Sequence, residues 1–304
     1  MSGCRNCGEA VLQDLGPIGR VEPFFLKRVF GVELRPARSP GPLKQLVRDL
    51  ASVPASLLSR AHSLYSFVEL EVCTRCSFIQ TRIPFHEEDI MRLYADYREP
   101  SYHSDRIRYE PSYAAIAAAV GYDEVEIRTR TTALNTFLRH ALPATDSFTM
   151  LDYGGSDGRF MPDLPGVKFI YDVSKVDPLP GITRIKSESE LETYSLVLLA
   201  HVTEHLVHPL NLVRKLHSYV APGGYLYIET PQEVTDEQRS LLVQGTLKTQ
   251  LGIHEHINYY CVPAVSALLE SAGFKVTAIE CTPVDLGWAM SAHIRALGRK
   301  EPVQ

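Results

Sequence analysis

The sequence predicts an α/β domain built on a mostly parallel sheet, preceded by a small module that two cysteine pairs hold together. Five strand patterns recur in the C-terminal half, at residues 148–153, 167–171, 182–185, 195–200 and 225–230. Helical patterns lie between them, the clearest at residues 209–220. Alternation of this kind indicates parallel strands with right-handed crossovers.

The end of the chain adds an antiparallel pair to this sheet. A helical pattern at residues 263–272 is followed by Gly273, a residue that commonly ends helices. Two further apolar runs, 274–281 and 288–297, then predict adjacent antiparallel strands. The expected sheet therefore has seven strands, of which the last pair is antiparallel.

Composition excludes several classes of protein. The 304 residues are 45% hydrophobic and 22% charged, which is ordinary for a soluble globular chain with room for one large and one small domain. The formal net charge of −5 argues against a general attraction to nucleic acid or anionic lipid. No apolar run approaches the roughly 18 residues that would span a membrane, and the N-terminus lacks a signal-peptide core. We therefore expect a cytoplasmic protein.

Four of the six cysteines form two CxxC pairs, Cys4 with Cys7 and Cys73 with Cys76. Each pair places two thiolates on one tight turn, and two such turns supply the four soft ligands of a tetrahedral Zn²⁺ site. Four protein ligands leave no open position, so we predict a structural zinc. The alternatives are two redox-active pairs or cysteines packed as small hydrophobic residues, although no thioredoxin-like unit surrounds either pair.

The chain divides into three predicted segments. Residues 1–84 form the zinc-binding module, with an insertion at 35–66 that carries a helical pattern at 43–50 and is rich in Pro, Ser and Arg up to residue 63. The insertion is either a disordered loop or a surface that binds a partner protein or a second copy of the chain. Residues 85–146 form a helical connector, with helices expected at 114–120 and 125–142, and residues 147–304 form the main domain.

Aromatic and basic residues are concentrated in the connector. Residues 93–113 contain five tyrosines and three arginines. One interpretation is an amphipathic connector whose tyrosines pack with their hydroxyls in water. The other is a lid over a ligand, with Tyr and Arg donating hydrogen bonds to an oxygen-rich molecule.

A glycine turn at the end of the first core strand predicts a nucleotide-like ligand. Glycines allow positive φ and let a ligand approach the backbone, and a carboxylate at the end of the next strand can accept hydrogen bonds from both ribose hydroxyls. The predicted cofactor-binding residues are Tyr153, Gly154, Gly155, Ser156, Asp157, Gly158, Asp172, Val173 and His201. No GK[ST] motif is present, so a phosphate cradle is not expected.

Histidines follow two of the predicted strands. His201 comes directly after the fourth strand, and His254-Glu255-His256 lies in the long excursion after the fifth. A histidine oriented by a carboxylate is a competent general base near neutral pH. If the segment is extended, His254 and His256 share a face that Glu255 opposes. The alternatives are a Mg²⁺ or Zn²⁺ site completed by a third ligand, and a structural role.

Four motifs, in order, give the chain a family resemblance. LDYGGSDGRF, YDVS, LVLLAHVTEHL and APGGYLYIETP resemble the successive strand motifs of class I S-adenosylmethionine (SAM)-dependent methyltransferases, over residues 147–300. The resemblance implies the Rossmann-like seven-stranded fold of that class and SAM as the cofactor.

A narrower resemblance concerns the acceptor. CRNCG, CTRCSFIQ, GGSDG, AHV and HEHINYY together resemble the zinc-containing sugar C-methyltransferases of deoxysugar biosynthesis. This implies His256, Glu255 and His201 as active-site residues and a nucleotide-linked ketosugar as acceptor, deprotonated beside its ketone. Three alternatives stay open: O-methylation of a sugar, polysaccharide or natural product, methylation of nucleic acid, and a non-catalytic binding protein.

Overall fold

The computed structural model describes residues 3–32, 67–94, 96–97, 99–144, 147–174, 176–247 and 249–302. The insertion predicted at 35–66 therefore lies outside the described residues. Its role stays a prediction.

The N-terminal module begins with three antiparallel strands, β1 (Leu12–Val21), β2 (Phe67–Cys73) and β3 (Ile79–Thr81). Helix α1 (Pro23–Phe30) follows β1 and ends at Gly31, whose φ of 67° suits glycine. The helices α2 (Glu87–Leu93) and α3 (Pro100–Tyr109) then pack against α1.

The long helix α4 (Glu124–Ala141) leads into the main sheet, and Asp123 caps its N-terminus by accepting the backbone N–H of Val125. The helix predicted at 114–120 is wrong: a 3₁₀ turn at Pro111–Ala115 is followed by further turns. No residue of the short alanine-rich stretch at 114–120 is fully buried, so little packing stabilises a regular helix there.

The C-terminal half contains the remaining elements. They are β4 (Phe148–Tyr153), β5 (Gly166–Tyr171), β6 (Ile182–Arg184), β7 (Tyr194–Ala200), α5 (Pro209–Tyr219), β8 (Val220–Pro231), α6 (Asp236–Val243), β9 (Leu251–Ile253), β10 (Asn258–Tyr259), α7 (Val262–Ser271), β11 (Lys275–Asp285) and β12 (Met290–Arg299).

The main sheet has seven strands in the order β11-β12-β8-β7-β4-β5-β6. Strands β4 to β8 are parallel to one another, and β12 is antiparallel to both β8 and β11. The prediction of a mostly parallel seven-stranded sheet with an antiparallel end is confirmed. Because β4 and β7 are neighbours, the strand order reverses between them, and ligands bind at the carboxyl ends of strands at such a point.

The second sheet draws on both ends of the chain. Its order is β10-β3-β2-β1-β9, so two short strands from the 249–260 region extend the N-terminal sheet on both edges. Its core includes residues of α1, α2 and α3 together with Val207, Val234 and Leu242 from the C-terminal half. The boundaries at residues 84 and 146 remain a prediction.

Candidate active site

Three predicted features lie at the carboxyl edge of the main sheet. The glycine turn follows β4, Asp172 follows β5 and His201 follows β7. The backbone N–H of Gly154 donates to the carbonyl of Tyr171 at 2.8 Å, which holds the turn against the end of β5. The elements thus meet where the strand order reverses.

The glycines of the turn are required by close packing. Gly154 has a φ of 84°, and a Cβ there would lie 2.8 Å from the side chain of Val202. A Cβ on Gly155 would lie 2.0 Å from the carboxylate of Asp152. Only glycine fits at either position, so the backbone of the turn stays bare toward the crevice.

Asp152 lies beside the glycine turn and was not among the residues predicted from the sequence. It is 2% exposed, and its Oδ1 has no hydrogen-bond partner among the described residues. Burial, reinforced by the nearby carboxylate of Asp172, raises its pKa to about 7. A buried carboxylate oxygen without a partner fits the requirement for a donor from a bound ligand. The available signal was a charged residue inside an apolar strand, two positions before the glycine pair.

Asp172 lies beside the glycine turn. Its Oδ2 accepts the backbone N–H of Ser156 at 2.8 Å, and its Oδ1 accepts that of Ser174 at 2.6 Å. Each carboxylate oxygen has more than one lone pair, so the group can still accept ribose hydroxyls. Asp152 and Asp172 together fit the cofactor that the fold implies.

The other predicted cofactor residues have varied surroundings. The Tyr153 hydroxyl donates to Glu188 at 2.9 Å, and the Asp157 carboxylate is paired with Arg159, whose Nε lies 3.0 Å from Oδ1. Although burial raises the pKa of Asp157, its bonds with Arg159 lower it overall. Val173 is 88% exposed. Their contact with a cofactor remains a prediction.

His201 lies between two buried carboxylates. Its Nδ1 is 3.4 Å from Glu204 and its Nε2 is 3.3 Å from Glu229. Its φ of 55° is uncommon for a residue with a side chain and marks a site held by its surroundings. Glu229 also contacts His293 Nδ1 at 2.9 Å and accepts from the Tyr227 hydroxyl at 2.7 Å. Both glutamates were missed from the sequence as partners of His201.

The two sides of the His254–His256 segment are chemically different. His256 Nδ1 lies 3.0 Å from the carboxylate of Glu233, and His254 Nε2 lies 4.0 Å from the same oxygen. Glu255 instead accepts the hydroxyl of Tyr102 at 2.5 Å and is paired with Arg106. The carboxylate beside His256 is therefore Glu233, two residues after β8, rather than Glu255.

These contacts shift the pKa values of the segment in opposite directions. Burial tends to lower the pKa of His256, but the surrounding carboxylates, Glu233 first and then Glu204 and Glu255, outweigh it and raise the value to about 9. For His254 burial prevails and lowers the pKa to about 4. Burial raises the pKa of Glu255, yet Arg106 brings it down to about 2. At neutral pH the two histidines therefore differ in charge.

His205 contacts both His256 and Glu204, the carboxylate beside His201. Its ring centroid lies 4.8 Å from that of His256, and its Nε2 lies 4.0 Å from Glu204, the carboxylate that also contacts His201. The hydroxyl of Tyr94, from the tyrosine-rich connector, lies 2.5 Å from His205 Nδ1. We define the histidine cluster as His201, Glu204, His205, Glu233, His254 and His256. Tyr94 contacts this cluster at His205, and Tyr102 contacts Glu255 next to it, so the connector packs beside the cluster. Whether the connector acts as a lid remains a prediction.

The four predicted metal ligands come together in one place. Cys4 Sγ lies 3.7 Å from Cys76 Sγ, and Cys7 Sγ lies 3.7 Å from Cys73 Sγ. These separations are far longer than a disulfide bond. Thiolates at about 2.3 Å from a tetrahedral Zn²⁺ would be about 3.8 Å apart, so the spacing fits such an ion.

The cysteine turns are joined to the histidine cluster through the backbone. Strand β3 follows the Cys73–Cys76 turn and pairs with β10, which begins two residues after His256. Arg239 donates to the carbonyls of Ser77 and Tyr260, the latter at 3.1 Å. The module therefore supports the segment that carries His254 and His256.

Comparison with known families agrees with this geometry. A family model described as "Methyltransferase domain" matches residues 118–279, more than half of the chain. The chain belongs to this family. Together with the fold, the match makes the protein a SAM-dependent methyltransferase. A search of curated proteins found no match.

Solved methyltransferase structures are similar to this one at low identity. The 1,6-didemethyltoxoflavin-N1-methyltransferase of Burkholderia thailandensis, solved with S-adenosylhomocysteine (SAH), is 15% identical; the match covers 67% of this chain and 91% of that chain at a TM-score of 0.43. The N-methyltransferase NodS of Bradyrhizobium japonicum WM9, also with SAH, is 14% identical, with 62% and 98% covered at 0.40. A SAM-dependent methyltransferase from Aquifex aeolicus is 18% identical, with 58% and 93% covered at 0.40.

Among the helices in the described part of the chain, none is long and apolar enough to cross a membrane.

Proposed function

We propose that this methyltransferase acts on an oxygen-rich small molecule, a sugar or nucleotide-linked sugar, and that His256 takes up the acceptor's proton. The observation that supports this is the pairing of His256 with Glu233 at 3.0 Å, inside a histidine cluster on the cofactor edge of the sheet. A histidine with a carboxylate partner is the usual form of a protein general base.

In this proposal, different residues at the crevice would bind the cofactor, position the acceptor and remove its proton. The turn at 154–158, Asp152 and Asp172 would hold SAM, which when bound supplies an electrophilic methyl group. The chain would hold the acceptor in line with that methyl group, and such positioning is a large part of catalysis of this type. Glu233 lies 3.0 Å from His256 Nδ1 and would stabilise the charged form of the ring. The proton removed comes from a carbon beside a ketone in C-methylation and from a hydroxyl in O-methylation.

The pKa of His256 gives this role a pH signature. Because Glu233 and the neighbouring carboxylates raise the value to about 9, His256 is mostly protonated at pH 7 and must lose a proton before it acts as a base. We expect turnover to rise with pH and to level off near pH 9. In this proposal His201 and Glu255 assist indirectly: His201 is fixed by Glu204 and Glu229, and Glu255 fixes the backbone between the two histidines through Tyr102 and Arg106.

The four cysteines have a separate role in the proposal. They would bind a structural Zn²⁺, because four thiolates at tetrahedral spacing leave no position open for a substrate. The ion would then stabilise the β3–β10 pairing beside the histidine cluster without entering the reaction.

His256→Ala tests the general base. Purified protein would be incubated with SAM and a panel of sugars, nucleotide sugars and polyols, with SAH formation as the readout. We expect turnover to fall by about 10²- to 10⁴-fold while SAH affinity stays within about twofold. His140→Ala, at an exposed histidine on α4, is the matched control. Unchanged turnover in His256→Ala would remove His256 from the mechanism.

The site of methylation needs a second measurement. A carbon NMR spectrum of the product distinguishes a methyl group on carbon from one on oxygen by its chemical shift. A methyl group on oxygen would favour the alternative, O-methylation of a sugar, polysaccharide or natural product, with the same histidine acting on a hydroxyl.

A further inference from the structure

A cavity of about 310 Å³ opens beside the histidine cluster, between α6 and the strand β9. Glu233 and His254 form part of its wall, so the cavity and His256 share the carboxylate of Glu233. Ligand pockets usually measure about 300–1,000 Å³. This one is at the lower end of that range, which suits a single ring rather than a whole nucleotide.

The wall of the cavity combines neutral polar groups with apolar surface. Gln238, Thr249 and Gln250 contribute two amides and a hydroxyl, which can both donate and accept hydrogen bonds. Leu242 and the ring of Tyr259 contribute apolar area. This mixture matches a polyhydroxylated ring, whose hydroxyls need donors and acceptors while its C–H faces pack on apolar side chains.

The charge of the wall distinguishes between acceptors. None of the lining residues in the described part of the chain is lysine or arginine, the groups that usually bind phosphate. Glu233, in contrast, is an acidic group, and its attraction to His256 keeps its pKa below the usual value although burial opposes this. Among the described lining residues, a phosphate in this cavity would meet a carboxylate that is already paired with His256, and no lysine or arginine that could bind it.

From this arrangement we infer that the cavity between α6 and β9 is the acceptor site, and that it takes an uncharged, hydroxyl-bearing ring without a phosphate. The inference rests on the proposed function, since it places the acceptor beside the proposed base. It narrows that function by excluding a phosphorylated group from the cavity itself.

Direct binding tests this with defined probes. The full-length protein, saturated with SAH, would be titrated with methyl α-D-glucopyranoside, methyl β-D-galactopyranoside and methyl α-L-rhamnopyranoside, and with glucose 1-phosphate as the charged counterpart. Ligand-observed NMR gives the affinities. We expect at least one neutral glycoside to bind, and glucose 1-phosphate to bind at least about tenfold more weakly than methyl glucoside, because no lysine or arginine of the described lining would pair with its phosphate.

Variants locate the binding in the cavity. Leu242→Trp fills it and should abolish glycoside binding, whereas Val243→Trp, on the exposed side of the same helix, should not. Gln250→Lys, at an exposed position, should raise the affinity for glucose 1-phosphate. The Gln250→Lys variant still tests the inference if Leu242→Trp fails to fold.

The outcomes are separable from those of the proposed function. Tighter binding of glucose 1-phosphate, no binding of any neutral glycoside, or glycoside binding that survives Leu242→Trp in a folded protein would overturn the inference. In the absence of that folded variant, an unchanged phosphate affinity in Gln250→Lys would do the same. SAH binding and the His256→Ala turnover measure the proposed function independently of these results.

Discussion

Replacing Glu233 by glutamine tests the pairing on which the proposed mechanism depends. Glu233, with smaller contributions from Glu204 and Glu255, raises the pKa of His256 from an ordinary 6.5 to about 9 against the effect of burial. A histidine whose pKa is higher in the folded state stabilises the protein fully below pH 6.5, and this contribution is lost as pH rises through 9. The full shift corresponds to about 3 kcal/mol, and because the Glu233 side chain is 29% exposed, solvent screening reduces this to about 1–2 kcal/mol.

Two measurements follow from this magnitude. The free energy of unfolding of Glu233→Gln should be about 1–2 kcal/mol lower than that of the wild type at pH 6, and the two should converge above pH 10. In ¹³C-histidine NMR, the His256 resonance should titrate near pH 9 in the wild type and at a clearly lower pH in the variant, where only Glu204 and Glu255 still oppose the effect of burial. Glu237→Gln, at an exposed position on α6, should change neither quantity.

Two results would refute the reasoning. One is a destabilisation of Glu233→Gln that is as large at pH 10 as at pH 6, which would mean that Glu233 stabilises the fold by packing rather than by its charge. The other is a His256 resonance that still titrates near pH 9 in the variant, which would assign the shift to other carboxylates.

Three further predictions concern the metal site and the cofactor crevice. The wild type should contain about one zinc per chain, and Cys76→Ser should lose it while Cys281→Ser keeps it, as measured by elemental analysis. Gly155→Ala should abolish SAH binding and destabilise the fold by about 1–3 kcal/mol, because the new Cβ would lie 2.0 Å from the Asp152 carboxylate. Gly252→Ala, where the nearest atom is 3.6 Å away, should leave SAH binding intact. Asp152→Asn should raise the melting temperature at pH 8, because it removes a buried charge whose pKa is raised to about 7, yet weaken SAH binding in calorimetry.

The seven-stranded sheet was predictable because its signals are local. Strands β4, β5, β7 and β8 each contain an apolar run of their own, and the glycine turn after β4 fixes where the first one ends. The terminal antiparallel pair was equally visible, since β11 and β12 are neighbours in sequence. Burial of both faces of a parallel sheet produces such continuous runs.

The partners of the histidines were harder to predict. Glu229 is one polar residue in the strand β8, and Glu233 stands in the loop after it with no motif around it. Their contacts with His201 and His256 span 28 and 23 positions of the sequence. Adjacency in the sequence favoured Glu255 as the carboxylate partner, but Glu255 instead accepts a hydrogen bond from Tyr102.

The five-stranded sheet has a practical consequence for any attempt to shorten this enzyme. A chain trimmed before residue 85 would retain every strand of the methyltransferase sheet but would lose β1 and β3, the partners of β9 and β10. Ile253 and Tyr259, now 0% and 2% exposed, would face water on strands of three and two residues, which are too short to persist alone. Such a fragment would keep the cofactor crevice, but the His254–His256 segment beside it would lose its structure. We would therefore expect the fragment to bind SAM without transferring its methyl group.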